Sequence, residues 1–201
     1  MRLFISGSGT GVGKTFFSAL LAKHFHEQGR AVSYIKPVQT GYPADDDAAY
    51  VKRISGIQKA RTLFTAEPPL APCLCFERFP FEEAVSAVNE DDSEVLIVEG
   101  AGGIAVPLDY TRMTWEIPAR CGLGIIVVIP DRLGCVNEAL LNHSFISQKG
   151  VKFAGFAMNR YFSATENDSK NAGIIERLIP ASVAYFFDQS LYSNRADTSA
   201  L

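Results

Sequence analysis

Near its N-terminus the chain reads Gly7-Ser8-Gly9-Thr10-Gly11-Val12-Gly13-Lys14-Thr15, between a short β-rich run and a helical pattern that starts at Lys14. Four glycines in seven residues let the backbone turn its N–H groups inward around an anion. The N-terminus of the following helix adds partial positive charge. The strict phosphate-loop pattern is G-x-x-x-x-G-K-[ST], and this stretch departs from it because Ser8 stands where the first glycine should be. The strand, the helix and the Lys14-Thr15 pair still favour a nucleotide site over a plain glycine turn.

The phosphate loop is predicted to contact the nucleotide through both its backbone and its side chains. Lys14 would reach the β- and γ-phosphates, and the Thr15 hydroxyl would ligate Mg²⁺. The residues predicted to contact the nucleotide here are Gly9, Thr10, Gly11, Val12, Gly13, Lys14 and Thr15. The sequence therefore predicts binding of ATP with Mg²⁺.

Outward from this loop, β-rich runs alternate with helical patterns. Strands are predicted at residues 2–6, 31–36, 94–98, 123–129, 153–158 and 182–186, and helices at 14–28, 47–54, 81–89, 115–121, 137–148 and 169–178. The strand runs are continuously apolar, which is typical of parallel strands covered on both faces. We therefore expect an α/β fold: one P-loop NTPase-like domain over residues 1–201, with a parallel sheet flanked by helices on both faces.

Two segments give weaker patterns. The stretch from residue 68 to 81 is rich in proline and aromatic residues and favours no element, although Cys73 and Cys75 alternate in an apolar patch that suggests a strand or loop packing inward. The polar tail, residues 188–201, is expected to be irregular.

Length and composition exclude several classes of protein. The chain has 201 residues, 47% of them hydrophobic, with a net charge of −3 and four cysteines. One core suffices at this length, since single cores grow to roughly 250–300 residues. The lack of basic excess argues against nucleic-acid binding. The longest apolar run has eight residues, far below the about 20 of a membrane span. With no secretion signal at the N-terminus, we expect a cytoplasmic protein with free thiols and no membrane partner.

Two charged residues follow predicted strands. Glu99 comes directly after the run Val-Leu-Ile-Val, and a carboxylate at the carboxyl edge of a buried strand beside a phosphate loop helps hold Mg²⁺. Lys36 ends the second predicted strand and should emerge at the same edge. There it would neutralise γ-phosphate oxygens during phosphoryl transfer. On position alone, a solvated strand-end lysine fits Lys36 equally well.

Two further stretches suggest ligand contacts. Asp45-Asp46-Asp47 is usually a solvated loop, although Asp47 is well placed at a helix start to be a metal ligand. After the fourth predicted strand, Gly134-Cys135-Val136-Asn137 opens another helix, where free N–H groups and the Asn137 side chain would bind an anion. A plain strand–helix turn is the simpler interpretation of this second stretch.

Taken together, these segments resemble the dethiobiotin synthetases, the ATP-dependent carboxylases of biotin biosynthesis. The matching segments are residues 7–15, Lys36-Pro37-Val38 with Thr40-Gly41, residues 98–103 and residues 133–137, in the family's order and spacing over residues 2–180. The family's phosphate loop carries the same extra residue. The chain departs from the family at Gly9 and Gly11, where acids are common, and at Cys73, where histidine is usual.

The resemblance implies a reaction. 7,8-Diaminononanoate, CO₂ (or bicarbonate) and ATP would give dethiobiotin, ADP and phosphate through a carbamate and a carbamic-phosphoric anhydride. It also implies a homodimer with composite active sites. The implied catalytic residues are Lys14, Lys36 and Thr10, and the implied Mg²⁺ ligands are Thr15, Asp47 and Glu99. The implied substrate contacts are Lys36, Thr40, Gly102, Gly134, Cys135, Val136 and Asn137, and Asn159 would read adenine.

Two other functions remain as alternatives because a fold does not fix a function. A partitioning or division-site ATPase switch would carry a second lysine early in the phosphate loop, where this chain has Ser8 and Gly9. The second alternative is an amidotransferase-type synthetase or an accessory nucleotide-binding module. The synthetase would need an added glutaminase domain, for which 201 residues leave no room, whereas an accessory module would need no such domain.

Overall fold

The computed structural model describes residues 1–163, 170–180 and 182–188. Within them, one parallel sheet has the strand order β3-β2-β4-β1-β5-β6-β7. The strands are β1 Arg2–Gly7, β2 Val32–Thr40, β3 Lys59–Ala66, β4 Val95–Gly103, β5 Gly124–Pro130, β6 Phe153–Asn159 and β7 Val183–Phe187. The helices are α1 Lys14–Glu27, α2 Asp47–Ser55, α3 Pro72–Cys75, α4 Phe81–Asn89, α5 Glu116–Cys121, α6 Cys135–Gln148 and α7 Asn171–Leu178, with a 3₁₀ turn at Arg160–Phe162.

Helices cover both faces of the sheet. Successive side chains of a strand point to opposite faces, so Phe4 of β1 packs in one core while Leu3 and Ile5 pack in the other. The core containing Leu3 and Ile5 is closed by α1 and α2. The core containing Phe4 is closed chiefly by α4, α5, α6 and α7. This double layer confirms the predicted α/β fold and accounts for the continuously apolar strands.

The central strand β1 carries the phosphate loop at its carboxyl end. β1 lies between β4 and β5, and β2 lies beyond β4. Ligands of open α/β sheets bind outside the carboxyl ends of the strands, so the ends of β2 and β4 and the phosphate loop meet at one edge. None of the helices in the described residues is long and apolar enough to cross a membrane.

The structure adds one strand to the six that the sequence predicted. β3 was missed because its side chains are half exposed or exposed, and no continuous apolar run marks it. It is the edge strand beside β2, where only one face needs apolar residues.

The second strand is longer than predicted. It runs to Thr40, whereas the sequence placed a loop from Pro37 onward. β2 pairs with β4 only over Val32–Ile35, so beyond that point it pairs with β3 alone. Proline has no N–H to donate to a neighbouring strand. Pro37 is tolerated because the side of β2 that faces β4 is no longer paired at this position.

The prediction for Cys73 and Cys75 was wrong. Both belong to α3, which begins at Pro72, a residue favoured at the first helical position. Both thiols are partly exposed, and Leu74 between them is mostly exposed. The start of the helix predicted at residue 169 and the tail from residue 189 to 201 lie outside the described residues.

Candidate active site

The phosphate loop joins β1 to α1, and its glycines have separate structural reasons. A Cβ at position 7 would lie 2.7 Å from the carbonyl oxygen of Gly9 and 2.7 Å from Val12 Cγ2. Gly13 has a φ of 97°, a left-handed conformation that L side chains rarely adopt. No atom lies within 4 Å of a Cβ built at position 9. The loop therefore requires its first glycine at position 7, one residue earlier than in the strict motif.

Lys14 opens α1 and is nearly buried. Its Nζ donates a hydrogen bond to the Gly9 carbonyl oxygen at 3.3 Å. Burial lowers its pKa, and repulsion from Lys36 adds to that effect, while attraction to Glu99 and Asp47 opposes it. A desolvated ammonium gains from an anion placed within its reach.

Glu99 lies at the centre of a buried polar network and is fully inaccessible to solvent. Its Oε1 accepts hydrogen bonds from Thr15 Oγ1 at 2.9 Å and from Lys36 Nζ at 2.8 Å. Its Oε2 accepts hydrogen bonds from Ser18 Oγ at 2.8 Å and from Tyr34 Oη at 3.0 Å. Four donors around one carboxylate fix its orientation.

Lys36 bridges two carboxylates. Its Nζ lies 2.8 Å from Glu99 Oε1 and 2.6 Å from Asp47 Oδ2, and the residue is only 4% exposed. Burial alone would lower the pKa of Lys36, but the charges of Glu99 and Asp47 and their hydrogen bonds outweigh burial and raise it. Lys36 is thus a buried, charged lysine, and the solvated strand-end interpretation was wrong.

Sequence reasoning missed Ser18 and Tyr34, although spacing could have found both. Ser18 follows Thr15 by three residues on α1, and residues three apart share a helix face. Tyr34 precedes Lys36 by two residues on β2, and alternate residues share a sheet face. Burial, together with the nearby Glu99 charge, raises the pKa of Tyr34 well above 10.0, so its hydroxyl is a hydrogen-bond donor at neutral pH.

A cavity of about 550 Å³ opens over these groups. It brings together many of the predicted site residues: Thr10, Gly11, Lys14, Thr15, Lys36, Thr40, Asp47, Glu99 and Gly102. The segment that contains Pro69 to Pro72 borders it as well. A second cavity, of about 580 Å³, shares Lys14 and Thr15 with the first and extends toward Tyr50 and Arg53 of α2.

The oxygen donors at the cavity suit a hard divalent cation. Thr15 contributes a hydroxyl, and Asp47 and Glu99 contribute carboxylates, which are the ligand types that Mg²⁺ prefers. Asp47 begins α2, where Asp46 accepts the Ala49 N–H at 2.9 Å as the helix cap. This cap and the Lys36 ion pair fix the Asp47 carboxylate.

Asn159 lies at the end of β6 and behind the phosphate loop, outside the lining of both cavities described above. Its Nδ2 donates to the Val12 carbonyl oxygen at 3.0 Å, and its Oδ1 accepts the Tyr161 N–H at 3.1 Å. The side chain is fully buried. Asn159 therefore supports the phosphate loop directly, and its contact with adenine stays a prediction.

The second predicted anion site, Gly134 to Asn137, also lies outside both cavities. The expectation that the Cys135 N–H is free was wrong, because it donates to the Arg132 carbonyl oxygen at 3.0 Å. Gly134 has a φ of 97° and turns the chain sharply into α6. That turn brings the Cys135 N–H back onto the preceding loop.

A side-chain link joins α6 to the phosphate loop. Ser8 Oγ donates to Glu138 Oε2 at 2.5 Å, and Arg132 donates to Glu138 Oε1 at 3.0 Å. Ser8, which breaks the strict motif, thus connects the loop to the first turn of α6.

The sequence is similar to one protein-family model and to individual proteins of known name. A family model described as an AAA domain matches residues 1–184. The protein named ATP-dependent dethiobiotin synthetase BioD from Hydrogenobaculum sp. (strain Y04AAS1) is 32% identical over 193 residues, covering 89% of this chain and 86% of that relative. The protein of the same name from Methanococcus vannielii is 32% identical over 166 residues, covering 78% of each chain. The one from Leptospira interrogans is 33% identical over 162 residues, covering 77% and 72%.

Solved structures share the fold at low identity. The septum site-determining protein MinD of Pyrococcus horikoshii, complexed with Mg-ADP, has a TM-score of 0.57 at 14% identity, covering 94% of this chain and 82% of that one. A ParA family ATPase from Chlorobium tepidum has a TM-score of 0.56 at 13% identity, covering 96% and 86%. The signal recognition particle receptor FtsY of Elizabethkingia anophelis has a TM-score of 0.56 at 15% identity, and the match covers 92% of this chain but only 57% of FtsY. These likenesses show the P-loop NTPase-like fold alone.

Proposed function

Because the chain belongs to the family of ATP-dependent dethiobiotin synthetases, we propose that it converts 7,8-diaminononanoate, CO₂ and ATP to dethiobiotin, ADP and phosphate. The observation that carries the proposal is the pair of buried lysines, Lys14 and Lys36, which line one cavity together with the phosphate loop. The partitioning-ATPase alternative has only a fold-level likeness in its favour.

The reaction concentrates negative charge where the two lysines lie. One amine adds to CO₂ and loses a proton, giving a carbamate. A carbamate oxygen then attacks the γ-phosphorus, and the bond to ADP breaks. The second amine attacks the carbonyl carbon of the resulting anhydride and expels phosphate, which closes the cyclic urea. Lys36 and Lys14 would stabilise the carbamate and the transferring phosphoryl group, since phosphoryl transfer is catalysed mainly by positioning and charge.

We propose Mg²⁺ as the cofactor, held by Thr15, Asp47 and Glu99. Their hydroxyl and carboxylate oxygens border the same cavity as Lys14, which supports this assignment. When bound, the ion neutralises phosphate charge during transfer. Tyr34 and Ser18 occupy Oε2 of Glu99, so Oε1 is the oxygen directed toward Thr15 and Lys36.

Thr10, Thr40 and Gly102 are proposed contacts to phosphate and substrate, and all three border the cavity. Their positions come from three different segments, which are the phosphate loop, β2 and β4. Substrate and nucleotide would therefore be oriented against the same rigid sheet edge.

The homodimer belongs to the same proposal. The substrate carboxylate is C1 of the chain, whereas the reacting amines are on C7 and C8, so a second anion site is needed away from the phosphate loop. Gly134 to Asn137 stand outside the cavity of their own chain, and Leu133 beside them is 90% exposed. We propose that Gly134, Val136 and Asn137 bind the carboxylate of the substrate held in the partner subunit, which makes each active site composite.

Product analysis tests the reaction directly. Purified protein is incubated with the diamine, bicarbonate and MgATP, and dethiobiotin is measured by mass spectrometry together with ADP. We expect both products in equal amounts. ATP hydrolysis that ignores the diamine and gives no dethiobiotin would refute the proposed function.

The composite site has its own test. Asn137→Ala should raise the diamine KM with little change in the KM for ATP, whereas Asn142→Ala, on the same helix, should change neither. Asn142 is a suitable control because its amide bonds to the Glu138 carbonyl within α6. Sedimentation should find a dimer, and a fully active monomer would exclude the composite site.

A further inference from the structure

Gln39 is a nearly buried amide at the edge of the candidate active site, and sequence reasoning assigned it no role. It lies between Val38 and Thr40 at the end of β2, is 6% exposed and borders the same cavity as Lys36. Its Oε1 accepts the backbone N–H of Asp47 at 3.3 Å. Because a backbone N–H requires an acceptor, this bond identifies which end of the amide carries the oxygen.

The other end of the amide is an available donor. Gln39 Nε2 makes no hydrogen bond to any residue that the structure describes. Polar groups with so little exposure normally have partners. Since the side chain borders the cavity, a molecule bound there can supply this acceptor in place of solvent.

The position of Gln39 favours the substrate over the nucleotide as that molecule. The phosphates belong to the loop after β1, whereas Gln39 lies on β2, with β4 between the two strands. Lys36 and Thr40, which lie near it on the same strand, border the same cavity. An anion bound beside Lys36 would satisfy Gln39 if a second of its oxygens accepted a hydrogen bond from Nε2.

We propose that Gln39 Nε2 donates a hydrogen bond to a carbamate oxygen of the carboxylated diamine. This inference rests on the proposed function. A free amine must keep its lone pair for attack on CO₂, so an N–H donor gives it no productive contact, while the planar carbamate presents two anionic oxygens. Gln39 would therefore favour the carbamate over the uncarboxylated diamine, which is the kind of differential binding that promotes a reaction.

The variant Gln39→Glu separates this role from a structural one. Glutamate retains an oxygen for the Asp47 N–H, and a negative charge near the start of α2 suits the helix dipole. It replaces the cavity-facing donor with an anionic oxygen that repels a carbamate. A merely structural Gln39 would therefore tolerate the change.

The kinetic experiment begins with dethiobiotin formation by the wild-type protein, whose absence would refute the proposed function itself. With wild-type product established, Gln39→Glu should lower kcat/KM for the diamine about tenfold or more, because one hydrogen bond to a charged group is exchanged for a repulsion. The KM for ATP should stay within about twofold. Unchanged diamine kinetics, or an effect confined to the KM for ATP, would overturn the Gln39 inference alone.

A second measurement does not depend on turnover. ¹³C NMR with labelled bicarbonate and diamine, in the absence of ATP, should detect a bound carbamate on the wild-type protein and a much weaker signal on Gln39→Glu. Ser55→Ala is the matched control, since it removes a buried hydrogen bond to the Val51 carbonyl oxygen at the opposite end of α2 and leaves Gln39 intact. It should lower the Tm but preserve the carbamate signal. Equal signals from wild type and Gln39→Glu would overturn the inference.

Discussion

Replacing Glu99 with glutamine should weaken both the fold and the metal dependence. The amide nitrogen should turn toward Ser18 and Tyr34, because their hydroxyls can accept a hydrogen bond whereas the Lys36 ammonium cannot. Hydrogen bonding survives in this orientation, but Lys36 loses one of its two carboxylates. Removal of one partner from a buried ion pair costs about 3–5 kcal/mol. Asp47 remains 2.6 Å from Lys36 Nζ, so we expect the lower end, about 3 kcal/mol.

That loss converts to a thermal shift. For a domain of this size, 1 kcal/mol corresponds to about 2–4 °C, so the Tm of Glu99→Gln should fall by about 6–12 °C. Calorimetry measures the shift, and a Mg²⁺ titration of dethiobiotin formation should show a raised half-saturation with a smaller change in the diamine KM.

Asp92→Asn is the control for charge removal as such. Asp92 pairs with Lys59 at 3.2 Å, both side chains are mostly exposed, and such pairs contribute about 0–1 kcal/mol. Its Tm should stay within a few degrees of the wild type. A Glu99→Gln protein with a wild-type Tm and an unchanged Mg²⁺ titration would refute the central role given to the buried carboxylate.

The remaining substitutions test separate parts of the structure. Lys14→Ala and Lys36→Ala should each lower turnover at least about 100-fold, because each removes charge that stabilises phosphoryl transfer; steady-state kinetics that retain more than a tenth of the rate would contradict this. Gly7→Ala should abolish tight ATP binding in calorimetric titration, since its Cβ would meet backbone at 2.7 Å, whereas Gly173→Ala on α7, with open space around its Cβ, should bind normally. Burial alone would raise the pKa of Asp109, but the N–H groups of residues 79, 111 and 112 outweigh burial and lower it. The stability that this carboxylate contributes is present above its usual pKa and is lost as the pH falls through the lowered one. Asp109→Asn should therefore be less stable at neutral pH, by about 1–3 kcal/mol, with a shallower acid decline in Tm; parallel Tm curves from pH 2 to 6 would contradict it.

The sequence predicted most of the fold because burial on both faces leaves a strong mark. The run Val95 to Val98 is apolar throughout and is a central strand, while β3, with Lys59 and Arg61 in it, is an edge strand and reads as a loop. The pattern of apolar residues reflects burial. It therefore gives almost no indication of an edge strand that is held by backbone hydrogen bonds to a single neighbour.

The site was predictable in its backbone and less so in its side chains. The phosphate loop was identified from its glycines, and Glu99 from the strand before it. The state of Lys36 was not, because its burial depends on Asp47, which approaches only when α2 packs beside β2. Gln39 carried no signal at all, since its role follows from the direction of one hydrogen bond to that helix.

The network around Glu99 also bears on how the protein acquires its activity. Thr15 and Glu99 are 84 residues apart in the chain, and Lys36 and Glu99 are 63 apart. Parallel strands with such long connections close late, because loop-closure entropy must be overcome before the contacts form. A nascent or partly folded chain thus lacks the carboxylate that orients Lys36, even if its phosphate loop and first helix are already formed. Nucleotide affinity should consequently appear only with the completed sheet, and saturating MgATP should then slow unfolding by stabilising that state alone.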